Sequence, residues 1–481
     1  MRALSRRKAL QGICAVTGFS ILSGCAVNPV TGKRELMLMS EQKELSMGKQ
    51  AHGEIVASYG SYDDDSLQSW FNERGQEMAA VTHRKNLQYS FTVLDSPVVN
   101  AFAVPGGYVY VTRGILGYFN NEGQFAGVLG HELGHVNARH TAKRYSKAQL
   151  ANLTLGIGSI FSEEFARYAQ LASLGASLLF LKYSRDDERQ ADSLGVEYSS
   201  SVGYNAVEMS TFFHTLERMH PAGGSLPEWQ STHPDPGDRV KATRQQALKF
   251  QQAHQEKEFV IRRDEYLDSI DGMIFGDDPR QGYVKDNVFY HPEMKFMFPV
   301  PVGWNLTNSP TEVRIAPEKN NAMLIFTSVP GETPQSAATQ FATENNVTIT
   351  GSSPITINGM NGFHTTGHMS GNESEYAIAS YFIKKEDSIY AFHGLSTPSD
   401  AGAFTANFTH VATGFNTLTD QALLNVSPEI IQIRTTDGTV VLSKIFADNG
   451  VSEDRFDELA ILNGMELDDI IQTGTGIKII A

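Results

Sequence analysis

The chain has 481 residues, a formal net charge of −15, 19% charged residues and two cysteines. That length allows two to four domains with sizeable cores. The acidic balance argues against nucleic acid and against a polybasic membrane surface, and two cysteines cannot build a disulfide scaffold.

Arg2, Arg6, Arg7 and Lys8 precede an apolar run from Ala9 to Leu22, too short to span a bilayer as a mature helix, so the start reads as a signal peptide. Leu22-Ser23-Gly24-Cys25 resembles a lipobox, which implies loss of residues 1–24 and lipidation of Cys25. Ser5-Arg6-Arg7-Lys8 also resembles a twin-arginine start, so both export routes stay open. Cys14 would leave with the signal peptide and Cys25 would carry lipid, leaving no thiol for an internal disulfide. The expected location is the periplasmic side of the cell envelope, with the lipid as the membrane contact. Ala26 after the cysteine, rather than Asp, favours the outer membrane in a host with two membranes.

Asp63, Asp64 and Asp65 lack the glycine and terminal glutamate spacing of a calcium loop and read as solvated. Asn100 to Thr112 has two β-rich runs around Pro105-Gly106-Gly107, as in a hairpin or strand bend. Next comes GQFAGVLGHELGHVNARH, in which Phe125, Val128, Leu129, Leu133 and Val136 fall at helical spacing without a proline. On that helix His131 and His135, at i and i+4, share a face and can reach one metal ion, while Glu132 projects beside them as a general base. The plainer alternative is a helix with two satisfied histidines and a solvated glutamate.

Leu150 to Phe161 and Tyr168 to Leu181 are rich in Ala, Leu and Gly but are interrupted by Glu163, Glu164 and Arg167, so they read as core helices rather than membrane spans. A mobile lid, with Gly156, Gly158 and Gly175, is the other reading. A catalytic zinc site needs a third protein ligand. Glu188 is the best candidate, with Asp192 one turn further on to accept the free N–H of a ligand histidine. By spacing alone this stretch fits a solvated, charge-rich helix better than a ligand helix.

The series NAFAVPGG (100–107), HELGH, SRDDERQAD (184–192) and STHPDPGDR (231–239) resembles the gluzincin-type metallopeptidases that include the CAAX prenyl protease, and more closely their bacterial periplasmic and lipoprotein members such as the beta-barrel assembly-enhancing protease. The resemblance covers roughly Asn28 to Ile274. It implies one zinc ion per chain held by His131, His135 and Glu188, with Asp192 behind the ligands and Glu132 moving the proton of a metal-activated water. It also brings His233 and Arg239 near the metal. Two roles are open to His233: a donor to the oxyanion, or a fourth ligand that closes the site as a latch on the loop of Pro234, Pro236 and Gly237. Asn100, Ala101, Phe102 and Ala103 are expected on a strand edge that pairs with extended substrate.

Residues 25–260 are thus read as the metallopeptidase domain and 261–281 as a linker. From 282 to 422, strand-like runs at Ala322 to Val329, Tyr376 to Lys384 and Ile389 to Leu395 alternate with helical patches, giving an α+β domain with an antiparallel sheet. Its FxHPxxxFxFxxPxGW pattern resembles the PsbP/Mog1-type sandwich. His291, His364, His368 and His393 read as surface or strand histidines. Residues 428–481 run strand, helix, helix, strand and resemble a LysM module, with Asp437-Gly438-Thr439 where the usual turn is Gly-Asp-Thr, which puts glycan binding in doubt.

The expected architecture is therefore multidomain: a mainly α, zincin-like metallopeptidase domain with a small β-sheet, the α+β domain, and a small βααβ LysM-like module. Two function classes follow. One is a lipid-anchored zinc endopeptidase acting on misfolded or unassembled envelope proteins, with peptidoglycan or outer-membrane assembly proteins as further candidate partners. The other is a latched metalloprotein serving as chaperone or binding scaffold in envelope assembly. Retention of Glu132 favours the first, because a structural zinc site needs no base.

Overall fold

The computed structural model describes residues 25–155, 182–219, 228–233, 238–319, 321–370 and 375–481. Residues 1–24, read as a signal peptide, most of the two Ala/Leu/Gly-rich stretches and the loop Pro234 to Gly237 lie outside the described residues. The chain divides into two compact units, one gathering the described parts of 1–56, 60–276 and 430–481, the other 57–59 and 277–429. Among the described residues, no helix is long and apolar enough to cross a membrane.

The first unit opens with β1 (Cys25–Val27) paired antiparallel to β2 (Arg34–Leu36), which sets the backbone of Cys25 opposite Leu36. Two helices follow, α1 (Glu41–Tyr59) and α2 (Asp65–Ala79). Asp64, within the acidic cluster, caps α2 by accepting from the Ser66 and Leu67 amides, so part of that cluster holds a helix end. Strands β3 (Ser90–Leu94), β4 (Ala101–Val104) and β5 (Tyr108–Thr112) form a sheet in the order β3-β5-β4, with β3 parallel and β4 antiparallel to β5. Gly106 and Gly107 make the β4–β5 turn at φ of 88° and 92°, a left-handed region that favours glycine.

After α3 (Arg113–Tyr118), α4 (Glu122–Asn137) starts at the Asn121 cap, whose side chain accepts from Gln124 N–H, and runs buried over every residue. Its apolar positions join Phe71, Phe91 and Tyr266 in one core. Among the described residues up to 276, the helices that follow are α5 (His140–Leu155), α6 (Arg185–Ser201), α7 (Val207–Arg218), α8 (Glu228–Thr232), α9 (Arg239–Ala253) and α10 (Arg263–Ile270). Ser184 and Asp187 form a capping box at the start of α6. Helices α4 and α6 touch through small residues: a Cβ on Gly130 would lie 2.9 Å from the Gly195 carbonyl oxygen, and one on Gly134 would lie 3.1 Å from Ala191 Cα. That near-backbone contact brings the short carboxylates of α6 within reach of the α4 histidines. The stretch 261–281, read as a linker, instead holds α10 and β6 (Ile274–Phe275), because Tyr266, Leu267 and Ile270 share a face that is buried in the core.

In the second unit, the antiparallel strands β7 (Tyr283–Lys285), β8 (Val288–His291) and β9 (Phe296–Pro299) pair in sequence. A seven-stranded antiparallel sheet is built from β10 (Trp304–Asn308), β11 (Glu312–Pro317), β12 (Ala322–Val329), β13 (Val347–Ile357), β14 (Met360–Ser370), β15 (Glu375–Lys385) and β16 (Ser388–Ser396), in the order β10-β11-β12-β16-β15-β14-β13. Helices α11 (Pro334–Glu344) and α12 (Ala401–Thr413) and a short helix at Gln421–Leu424 also lie in this unit, and β17 (Asn416–Thr417) joins β9. The core is rich in phenylalanine, including Phe289, Phe296, Phe298, Phe326, Phe392 and Phe415.

The last segment runs β18 (Glu429–Thr435), β19 (Val440–Val441), α13 (Leu442–Asp448), α14 (Phe456–Leu462), β20 (Ile470–Ile471) and β21 (Gly476–Ile480). Expected to stand as a module of its own, residues 430–481 belong to the first unit. The reason is an edge pairing: β18 lies between β21 and β6, with Ile431 N–H donating to the Met273 carbonyl (2.9 Å) and Gly272 N–H to that of Ile431 (2.8 Å). The buried Lys478 Nζ donates to the carbonyls of Gly117 (2.7 Å) and Phe119 (2.9 Å) at the end of α3.

Candidate metal centre

The i, i+4 spacing on α4 turns the His131 and His135 rings to one side, and the capped start of α6 presents Glu188 and Asp192 opposite. His131 Nε2 lies 3.0 Å from His135 Nε2 and 3.5 Å from Glu188 Oε2, and His135 Nε2 lies 3.6 Å from Glu188 Oε1. His233 joins them, its Nδ1 3.3 Å from His131 Nε2 and 3.2 Å from Glu188 Oε1. All four residues are buried, with candidate ligand atoms within 4.8 Å of one another. Bonds of about 2.0–2.1 Å to a tetrahedral zinc ion imply edges of about 3.3 Å between ligand atoms. The separations among His131, His135 and Glu188, 3.0–3.6 Å, match that spacing, so these donors fit a zinc ion.

Two polar groups behind these atoms, Asp192 and Arg239, are paired. His131 Nδ1 faces Asp192 Oδ1 at 2.9 Å, which leaves Nε2 for the cluster. Arg239, at the start of α9, donates to both Asp192 oxygens from Nε (3.1 and 3.0 Å), from Nη2 to Asp192 Oδ1 (2.7 Å), and to Glu188 Oε2 (3.3 Å). Its guanidinium packs on the Phe213 and Trp229 rings. Arg239 is thereby directed at the carboxylates.

The electrostatics follow from burial and from these pairs. Burial pushes the Glu132 carboxyl up, against the pull of His233 and His131. Burial acts the same way on Glu188, but His233, His131 and Arg239 outweigh it and hold that carboxyl low. For Asp192, Arg239 and His131 likewise prevail over burial. Burial, then the neighbouring His131 and His140, holds His135 well below the ordinary histidine range.

Glu132 Oε1 accepts from the Trp229 indole N–H (3.3 Å) and lies 3.6 Å from His233 Nε2. Trp229 and His233 both come from the α8 segment, which is tied to the start of β4: Trp229 N–H donates to the Val99 carbonyl (3.3 Å) and Asn100 Nδ2 to Glu228 Oε1 (2.9 Å). Ala101, Phe102 and Ala103 lie on β4 at the edge of its sheet, and Ala103 lines a cavity together with His135. The structure thus gathers His131, Glu132, His135, Glu188, Asp192, His233 and Arg239 at one point, with Asn100 to Ala103 alongside.

Three neighbours escaped the sequence reading. Trp229 stands four residues before His233 and stacks on it at 4.9 Å. Tyr183 stacks on His135 at 3.8 Å. His140, five residues past His135, puts its Nδ1 2.9 Å from that ring's Nδ1. The only local signal for His140 was a further histidine after HELGH.

Residues 65–247 match Peptidase family M48. Among curated relatives, the mitochondrial metalloendopeptidase OMA1 of Arabidopsis thaliana is 31% identical over 37% of this chain and 36% of its own length. A putative beta-barrel assembly-enhancing protease of Vibrio cholerae is 28% identical (39% and 40%), and a beta-barrel assembly-enhancing protease of Yersinia pestis 29% (44% and 45%). The chain spans less than half the length of each of these relatives. Among solved structures, cyanobacterial PsbP from Synechocystis is 12% identical at a TM-score of 0.24, covering 27% of this chain and 91% of that one. The Saccharomyces cerevisiae Ran-binding protein Mog1p is 12% identical at a TM-score of 0.22, covering 29% and 99%. TM-scores this low support no conclusion about this chain.

Proposed function

We propose that this chain, whose residues 65–247 form a Peptidase family M48 domain, is a zinc-dependent endopeptidase that cleaves misfolded or unassembled proteins of the cell envelope. One observation carries the reading: three buried ligand groups, His131, His135 and Glu188, converge at tetrahedral spacing with the buried carboxylate of Glu132 beside them. Zinc bound there would make a water acidic near neutral pH and polarise a peptide carbonyl. Glu132, buried beside that position, would hold the proton given up by the attacking water and hand it on to the leaving amine. Asp192 fixes the His131 ring, and Arg239 restrains Asp192 and Glu188. Extended substrate adds to the edge of β4 by backbone hydrogen bonds, which suits broad specificity.

Two further parts of the reading rest on sequence. Lipidation of Cys25 would tether the enzyme, and the relatives named as beta-barrel assembly-enhancing proteases support an envelope location with a link to outer-membrane assembly. The strand, helix, helix, strand order of 430–481 supports a LysM-like segment, and the strand-and-helix pattern of 282–422 supports a PsbP/Mog1-like domain.

A second reading is favoured by His233, whose Nδ1 stands where a fourth ligand would. There it would exclude the reactive water, so the resting protein would be latched, and in the extreme would serve as a scaffold. A casein assay with zinc quantified in every sample separates these readings. Wild type active and Glu132→Gln inactive at equal zinc content supports the enzyme, and equal activity in the two would sink it. His233→Ala more active than wild type at full zinc occupancy supports the latch, and no gain removes it.

A further inference from the structure

The two histidines of α4 are backed differently. His131 has a carboxylate behind it, whereas His135 has an imidazole: His140 Nδ1 lies 2.9 Å from His135 Nδ1, and His140 Nε2 lies 3.0 Å from Gln190 Oε1. On a continuous helix residues five apart would point about 140° away from each other. The chain instead breaks after Ala138, and Arg139 takes φ of 55°, a conformation costly for a residue with a side chain. Arg139 is held there by Glu44 (Nε to Oε2, 2.8 Å) and by the Met39 carbonyl (3.0 Å). The turn carries His140 back over His135, where it is fully buried.

Proton positions follow from the ligand role. Because His135 Nε2 faces Glu188 and His131, its proton must sit on Nδ1, so Nδ1–H donates to His140 Nδ1. His140 then carries its own proton on Nε2 and donates it to Gln190 Oε1, a group that accepts only. We propose that His140 is a positioning residue for the metal centre, a neutral imidazole relay between Gln190 on α6 and His135 on α4 that fixes the tautomer and orientation of this ligand. The inference rests on His135 being a metal ligand.

The test measures zinc dissociation constants of the full mature chain by competition with a chromophoric chelator, with the melting of the metal-free forms as a check on folding. His140→Leu removes the acceptor and is expected to weaken zinc binding by about 10–100-fold. His140→Asn sets an amide oxygen near the Nδ1 position and should recover most of that loss. Gln190→Leu should fall between. If His140→Leu does not fold, His140→Gln takes its place: its longer amide reaches toward Gln190 but leaves His135 Nδ1 without an acceptor, and wild-type affinity in this variant overturns the relay. A wild-type chain that takes up no stoichiometric zinc overturns the metal reading and the relay with it. Tight zinc in wild type and equal affinity in His140→Leu overturns the relay alone.

Discussion

Gly48 and Gly53 lie in the same helix, α1, and a methyl group added at each should act in opposite directions. A Cβ on Gly48 would stand 1.7 Å from the Pro105 carbonyl oxygen and 2.7 Å from its carbon. Real Cβ contacts essentially never fall below 3.0 Å, so backbone must retreat by roughly 1 Å or more, and no flexible side chain can absorb the clash. Pro105 follows Val104 directly, so the displacement passes into β4 beside the metal centre. Gly48→Ala should therefore cost about 1–3 kcal/mol of stability. It should also lower kcat/KM on a casein-derived peptide by on the order of 10- to 100-fold, the penalty expected of a misplacement near 1 Å, with zinc content unchanged. A methyl group on Gly53, by contrast, would meet no atom within 4 Å, and the residue has ordinary helical geometry. Gly53→Ala should thus stabilise the protein by about 0.5–1 kcal/mol and leave kcat/KM alone. Thermal melts and peptide kinetics of both variants decide the matter. If the two variants melt and turn over alike, close packing of α1 on the β4–β5 turn does not set the substrate edge.

Three further outcomes are expected. Asp192→Asn, which weakens the support of both His131 and Arg239, should loosen zinc binding by about 10–100-fold in chelator competition, and an unchanged affinity would show the pair is not needed to hold the ligand. Burial pushes the His393 imidazole, stacked on Phe341 and bonded to Ser380, down to about 4. The unfolded chain then binds the extra proton between pH ~6.5 and about 4, so this contribution is complete above ~6.5 and is lost as pH falls through that window, by up to about 3 kcal/mol. Hydrogen exchange of β15 and β16 should show the loss, and His393→Asn should flatten it; an identical pH slope in the variant would refute the assignment. Removal of zinc by chelation should abolish peptidase activity and lower the melting temperature, both restored by added zinc, and activity that persists at undetectable metal would contradict a metal-dependent mechanism.

Local geometry made much of this protein legible in advance. His131, Glu132 and His135 are set by the pitch of one helix, and the same pitch places Glu188 and Asp192 on a common face, because i, i+4 neighbours meet whatever surrounds them. The alternation of apolar residues likewise marked β12, β15 and β16 within a few residues of their ends. Other features depend on contacts between distant segments, to which periodicity is blind. Spacing alone favoured a solvated surface position for Glu188; the close approach of Gly130 and Gly134 to Ala191 and Gly195 is what turns it inward. Trp229 reaches Glu132 only because α8 is tied to the start of β4, and His140 meets His135 only because Arg139 reverses the chain against Glu44. The final segment, from Ile430 onward, read as a free module because its own pattern is complete. Its place in the first unit is decided by an unfilled edge at β6 and by carbonyls at the end of α3, both from much earlier in the chain. The sequence by itself thus determined which groups could do chemistry, since that follows from residue type and helical pitch. Tertiary structure decided which of them face one another, since that depends on how closely backbones can approach.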